Sequence, residues 1–174
     1  AIWKNVKKLL PGHWLEYDIL KKKSNITKYW DVYDFYNQPI SSDKLDENAI
    51  LEELEEILVS SFKYRLVSDV PVGIFLSGGL DSSLVTALLQ KNSSEKLKTY
   101  TIGFYENEEN EAPYAKKIAE YLGTDHYEHY CSINDALSII PELPYYYDEP
   151  FADTSMIPTT LVSKIARQHV TVVL

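Results

Sequence analysis

Cysteine is nearly absent from these 174 residues. Cys131 stands alone, which excludes an intramolecular disulfide and a zinc site built on cysteines. Long apolar runs are missing too, since no stretch approaches the ~20 residues a membrane-spanning helix needs. The opening segment, AIWKNVKKLLPGHWLEYD, carries basic residues but neither the apolar stretch nor the small-residue cleavage site of a secretory signal. Positive charge is scarce: 17 Lys and Arg face 26 Asp and Glu, a formal net charge of −9. A nucleic-acid partner would want a basic face, so that class is disfavoured, while a small anion held by backbone amides and a metal stays open. Repeats and low-complexity tracts are absent as well. What these absences leave is a cytoplasmic, membrane-free globular chain. With 45% hydrophobic and 25% charged residues, it is long enough for one domain with a real core and not obviously for two.

Residues 1–44 differ in character from the rest. HWLEYDILKKK reads as a strand entering a basic turn, and NITKYWDVYDFYNQPISS as aromatic, polar and irregular, so the segment is expected to be a connector or the tail of an upstream domain. From Leu45 to Val67, Ile50, Leu51, Leu54, Ile57, Leu58 and Phe62 recur at helical spacing, with Asp43 or Asp46 as candidate caps. This predicts a long amphipathic helix, broken at Pro71. Beyond it, strands are expected at 72–76, 98–104, 125–131 and 170–174. Helices are expected at 81–91, 110–124, about 133–140 and from Met156 onward. Such alternation implies βαβ units and an α/β fold with a parallel sheet flanked by helices, which binds ligands beyond the C-terminal ends of its strands. Ser77 and Gly103 fall at such ends. Leu174 falls where the next such loop would begin, so residues 45–174 are expected to be the N-terminal part of a longer domain.

The most informative stretch is VPVGIFLSGGLDSSLVTALLQ, Val70 to Gln90, which reads as buried strand, glycine turn and helix. Two glycines after a strand permit positive φ and clear room for a ligand against the main chain. The amides of residues 78–83 would converge at a helix N-terminus, which suits an anion. Ser77, Ser82 and Ser83 add hydroxyls without bulk, and Asp81 would repel an anion unless a cation bridged them, for which Mg²⁺ is the natural choice. The loop is not a Walker A motif, having no Lys after its glycines, and it lacks the third glycine of a dinucleotide fingerprint. The plain alternative is a structural turn with Asp81 as an N-cap. The five fixed residues of S-G-G-x-D-S would arise by chance in roughly a few chains in ten thousand at ~7% usage each, which favours the ligand.

S-G-G-x-D-S after a strand resembles the pyrophosphate loop of the ATP-pyrophosphatase (PP-loop) superfamily, with its adenine nucleotide alpha hydrolase-like fold. The blocks RLVSDVPVGIFLSGGLDSSLVTALL, KTYTIGF, EAPYAKKIAEYLGTDHYEH, DEPFADTSMIPTTLVSKIAR and VTVVL resemble, in order and spacing, the synthetase domain of glutamine-hydrolysing asparagine synthetases. LLPGHWLEYD is similar to that family's lead-in from the glutaminase domain. The resemblance implies an ATP-dependent amide ligase. It would adenylate the side-chain carboxylate of aspartate, release pyrophosphate, and pass the adenylate to ammonia from glutamine. It further implies ATP and Mg²⁺ as cofactors, and a cradle of Ser77, Gly78, Gly79, Asp81, Ser82 and Ser83 with Asp81 on the metal. Leu76 and Ile102 would meet adenosine through their backbones, and Asp148, Glu149, Asp153 and Ser155 would fall on the aminoacyl side. Glu111 matches a family acid, but Asn110 stands where an aspartate often precedes it, which weakens a paired-carboxylate role. A glutaminase domain is the expected partner, and a homodimer is compatible with the resemblance.

The chain begins Ala1-Ile2-Trp3 rather than with the family's cysteine nucleophile. The family's S-G-[DE]-G-x-D-E loop and catalytic lysine would follow Leu174, so this polypeptide by itself is not expected to make asparagine. Two other readings compete. One is a relative closing a β-lactam or a peptide ring by the same adenylation. The other is a nucleotide-binding module that kept the loop without catalysis. A tRNA-modifying enzyme would want basic surface. Of the remaining residues, His126, His129 and Cys131 read as structural, and Tyr145–Tyr147 as packing.

Overall fold

The computed structural model describes residues 1–38, 46–105, 110–150 and 152–174. It forms two compact units, Ala1–Asp46 and Glu47–Leu174. The boundary expected between residues 44 and 45, and the candidate cap Asp43, lie outside the described residues.

In the first unit β1 (His13–Asp18) and β2 (Lys23–Lys28) pair as an antiparallel hairpin, from His13 opposite Lys28 to Asp18 opposite Lys23. Its basic turn is held by the Asp18 carboxylate, which accepts from the Lys21 amide at 2.8 Å, and Lys22 takes the left-handed conformation at φ +52°. The short helix α1 (Val32–Tyr36) follows, its first turn capped by Asp31, which accepts from the Tyr33 amide at 3.0 Å. The stretch expected to be irregular therefore contains a strand and a helix. Its KSNITK strand has one bulky apolar side chain, Ile26, which is exposed. Backbone pairing rather than burial makes it a strand, so no apolar alternation announces it.

The second unit opens with α2 (Glu47–Arg65), the predicted long helix, with Asp46 just ahead of it. Then come β3 (Val72–Phe75), α3 (Leu80–Lys91), β4 (Lys98–Phe104), α4 (Ala112–Leu122) and β5 (Asp125–Cys131). After them lie α5 (Ile133–Ile139), a single 3₁₀ turn (Ile140–Glu142), α6 (Leu143–Tyr146), α7 (Met156–Ala166) and β6 (Val172–Val173). The four strands make one parallel sheet in the order β5-β4-β3-β6. Although β6 is short, its ladder continues: the Leu174 amide donates to the Gly73 carbonyl, and the Phe75 amide to the Leu174 carbonyl, each at 2.9 Å.

Helices cover this sheet through small contacts. Ala112, Ala115 and Ala119 repeat at helical spacing on α4 and are fully buried, which brings the helix close to Leu76. Tyr100 packs against Val162 and Ala166 of α7 and against Val170. Cys131, Ile139, Leu143 and Leu161 form a further cluster, and there burial pushes the Cys131 thiol above its ordinary pKa, as suits an inert core residue. Gly123, at φ +73°, ends α4 as expected. The chain moves outward from β3 to β4 and β5, then returns to the far side of β3 as β6. The strand order thus reverses beside β3, and the crevice at such a reversal is where open α/β sheets bind ligands.

Candidate active site

β3 delivers the chain into Ser77-Gly78-Gly79, and α3 starts at Leu80. The two glycines differ. Gly78 has φ +88°, and a Cβ there would lie 2.9 Å from the Ala115 amide nitrogen and 3.1 Å from Tyr114 Cβ. Both torsion and the first turn of α4 therefore demand glycine. Gly79 is extended, at φ −71° and ψ 165°, and a Cβ there would meet only Ser77 Oγ, at 3.3 Å. The expected positive φ thus applies to Gly78 alone. What Gly79 supplies is open space above the start of α3. Gly79 is also the N-cap of α3, with no side-chain capping bond. Asp81 therefore lies within the first turn and does not cap the helix.

The serines hold the loop in shape. Ser82 Oγ accepts from the Ser77 amide at 3.2 Å and lies 3.0 Å from Ser77 Oγ. Ser77 Oγ accepts from the Gly79 amide at 3.2 Å, and Ser83 Oγ donates to the Gly79 carbonyl at 2.6 Å. The amides of Ser77 and Gly79 are thus satisfied internally, whereas those at the start of α3 are ordinary helix N-terminal donors, able to meet an anion. Among the described residues no cluster of three or more His, Cys, Asp or Glu could hold a metal. The exposed Asp81 carboxylate fits a magnesium ion only as one ligand beside phosphate oxygens, which is how that ion is usually held in nucleotide sites.

Beside the loop a cleft of about 370 Å³ lies over the C-terminal ends of β3 and β4 and against the first turn of α7. Leu76, Ser77, Ile102 and Ser155 all line it, so four of the residues singled out in the sequence meet there. Asp148, Glu149 and Asp153 are not among its lining residues. Asp153 accepts from the Ser155 amide at 2.8 Å, just before α7. Hydrogen bonds from the Ser155 side chain and amide hold its carboxyl below the ordinary value. Asn110 and Glu111 do line the cleft, and Asn110 Oδ1 accepts from the Ala112 amide at 3.2 Å. Thr101, Phe104, Pro158 and Thr159 complete much of the wall. None was singled out in the sequence; their signal was adjacency to KTYTIGF and to the start of the MIPTT helix.

His126 behaves structurally. His126 Nδ1 is 2.8 Å from Thr99 Oγ1, and burial lowers its pKa below 6.5. Packing explains Tyr147, whose hydroxyl lies 3.1 Å from Thr160 Oγ1, but not Tyr145, which is 88% exposed.

The family model described as asparagine synthase matches residues 53–174. The chain belongs to the asparagine synthase family. A Methanocaldococcus jannaschii protein assigned as a glutamine-hydrolysing asparagine synthetase is 40% identical across 100% of this chain and 33% of its own length. Asparagine synthetase [glutamine-hydrolyzing] 1 of Bacillus subtilis is 35% identical over 74% of this chain and 20% of its own length. This member of the asparagine synthase family thus spans a third or less of those relatives. Among solved structures, the glutamine-dependent NAD+ synthetase of Acinetobacter baumannii with adenosine diphosphate aligns at a TM-score of 0.48 and 20% identity, over 88% of this chain and 28% of that one. The NH3-dependent NAD synthetase of Campylobacter jejuni aligns at 0.47 and 17%, over 70% and 54%.

Proposed function

We propose that residues 45–174 are the ATP-binding part of an amide ligase of asparagine synthetase type, and residues 1–44 the tail of a glutaminase domain. ATP lies with its base in the cleft between β3 and β4 and its phosphates over Gly78 and Gly79. Leu76 and Ile102 meet the adenosine through their backbones. Ser77, Ser82 and Ser83, with the amides at the start of α3, hold the β- and γ-phosphates. Among the described residues Asp81 is the carboxylate that would hold Mg²⁺, which when bound would offset the charge of the departing pyrophosphate. The aspartate side-chain carboxylate attacks the α-phosphorus, the bond to the bridging oxygen breaks, and pyrophosphate leaves. Ammonia from glutamine then attacks the acyl carbon and AMP leaves. Ser155, at the cleft, and Asp148, Glu149 and Asp153, ahead of α7, are assigned to the aminoacyl side. The enzyme works in the cytoplasm.

The observation that carries this reading is the juxtaposition of the Ser77–Ser83 loop, with its one exposed carboxylate, and a cleft at the same strand ends. Its test is ATP–pyrophosphate exchange with Mg²⁺ and L-aspartate, in a protein of the relatives' full length carrying this segment. Exchange should depend on aspartate and be lost in Asp81→Ala. Exchange with another carboxylic acid but not aspartate would move the protein to the β-lactam- or peptide-closing relatives. ATP binding without exchange on any acid would make it a nucleotide-binding module.

A further inference from the structure

Backbone direction along β4 alternates between its neighbours. Even-numbered residues face β3: the Leu76 amide donates to the Tyr100 carbonyl at 2.9 Å. Odd-numbered residues face β5, where the Asp125 amide donates to the Leu97 carbonyl at 2.9 Å and the Tyr105 amide to the Cys131 carbonyl at 3.2 Å. In a parallel ladder, a residue whose amide is taken by one carbonyl gives its own carbonyl to the amide two positions further on. Leu76 should therefore accept from the Ile102 amide. Among the described residues that bond is not formed. The Leu76 carbonyl accepts instead from the Thr101 side-chain hydroxyl. Both partners are deeply buried, Leu76 at 1% and Thr101 at 3% exposure, so neither group can turn to water for a substitute. The Ile102 amide and carbonyl are left facing the place where β3 turns away into the loop, at a cleft that Ile102 itself lines.

We propose that Thr101 is a positioning residue. By drawing the Leu76 carbonyl out of the sheet ladder, its hydroxyl leaves the Ile102 N–H free, and with the Ile102 C=O, which β3 no longer meets once it turns into the loop, this makes a donor–acceptor pair for the edge of a heterocyclic base. The complementary ligand edge is a ring nitrogen acceptor beside an exocyclic amino donor, as adenine has. This deepens the nucleotide reading and rests on it. Replacing Thr101 by valine keeps the shape but removes the donor, so Ile102 can close the ladder onto Leu76 and the base loses its partner.

Amide hydrogen exchange by NMR on the full chain tests the geometry without any substitution. Without nucleotide, Ile102 should exchange at least tenfold faster than Tyr100, Thr101 and Gly103, and saturating ATP should slow it. An Ile102 amide as protected as Tyr100 in the nucleotide-free chain would overturn the proposal. Calorimetric titration then compares ATP with inorganic tripolyphosphate, which has no base. Thr101→Val should weaken ATP by about tenfold, the worth of one hydrogen bond, and leave tripolyphosphate unchanged. Thr101→Ser should restore ATP binding. Equal loss of both ligands in the valine variant would mean a purely structural role and would also overturn the proposal. Should the valine variant lose the protection of β4 altogether, the wild-type exchange pattern and the serine variant decide. A wild-type chain that binds no ATP while Ile102 exchanges freely would overturn the nucleotide reading, and with it the purpose assigned to the open amide.

Discussion

The two glycines of the loop can be separated by experiment. Gly78 sits at φ +88° with α4 against it, so Gly78→Ala forces a left-handed L-residue and a Cβ 2.9 Å from a backbone nitrogen. The first effect alone costs about 1–2 kcal/mol. The urea midpoint should fall clearly. Gly79 has an ordinary extended conformation, and its Cβ position meets one hydroxyl at 3.3 Å. Because Gly79 is the N-cap of α3, Gly79→Ala should cost no more than about 1 kcal/mol while weakening ATP and tripolyphosphate alike, because the methyl occupies the space assigned to phosphate. Equal stability losses in the two variants would refute this division of labour. At this scale the sequence was legible where residue type dictates backbone: S-G-G-x-D-S marked the turn between β3 and α3. It was silent on Thr101, whose role depends on which carbonyl its hydroxyl reaches across the sheet. A backbone partner leaves no mark on residue type.

Where β4, β5 and α4 meet, a small polar network replaces apolar packing. Thr99 stands opposite His126 in the ladder, and Thr99 Oγ1 lies 3.0 Å from Thr124 Oγ1 and 2.8 Å from His126 Nδ1. His126 Nε2 is buried without a hydrogen-bond partner among the described residues. Burial is the main cause of its lowered pKa; Glu128 and Glu120 oppose it and Lys116 adds to it. The unfolded chain, with an ordinary histidine near 6.5, takes up the proton first as pH falls. The stabilising contribution is therefore fully present above that value and is lost as pH drops through the folded pKa. Urea midpoints should decline from pH 7.5 to 5.5, and His126→Gln should flatten that decline. An unchanged slope in the variant would place the titration elsewhere. The elements around this seam were legible because their apolar residues recur at sheet and helix periods: β3, β4, β5, α3 and α4 lie within a residue or two of expectation. α2 was legible as a helix but not as a surface, for Ile50, Leu51, Leu54 and Ile57 remain 42–57% exposed. Periodicity shows that an apolar stripe exists, not what covers it. β2 and α1 were illegible because pairing and an Asp31 cap, rather than burial, hold them.

Burial is distributed unequally over the molecule, and stability should follow it. The hairpin of the first unit has Trp14, Leu15 and Tyr17 on β1 and Ile26 on β2 all exposed, and none of its strand residues is buried. A two-stranded ribbon without a covered face is marginal in water. The four-stranded sheet instead carries Ile74, Leu76, Tyr100 and Cys131 at 2% exposure or less, between helices that contribute fully buried alanines. Local opening is governed by such contacts, so amides of the hairpin should exchange by low-energy opening while those of β3 and β4 approach the limit set by global unfolding. The Ile102 amide is the exception the open ladder position demands. Native-state hydrogen exchange across increasing urea would reveal this as two classes. Hairpin amides should be insensitive to denaturant, and sheet amides should steepen with the full slope of unfolding. A single class, with hairpin and sheet opening together, would mean that the hairpin belongs to the same cooperative unit as the four-stranded sheet, and that the division at Asp46 and Glu47 is one of shape but not of energy.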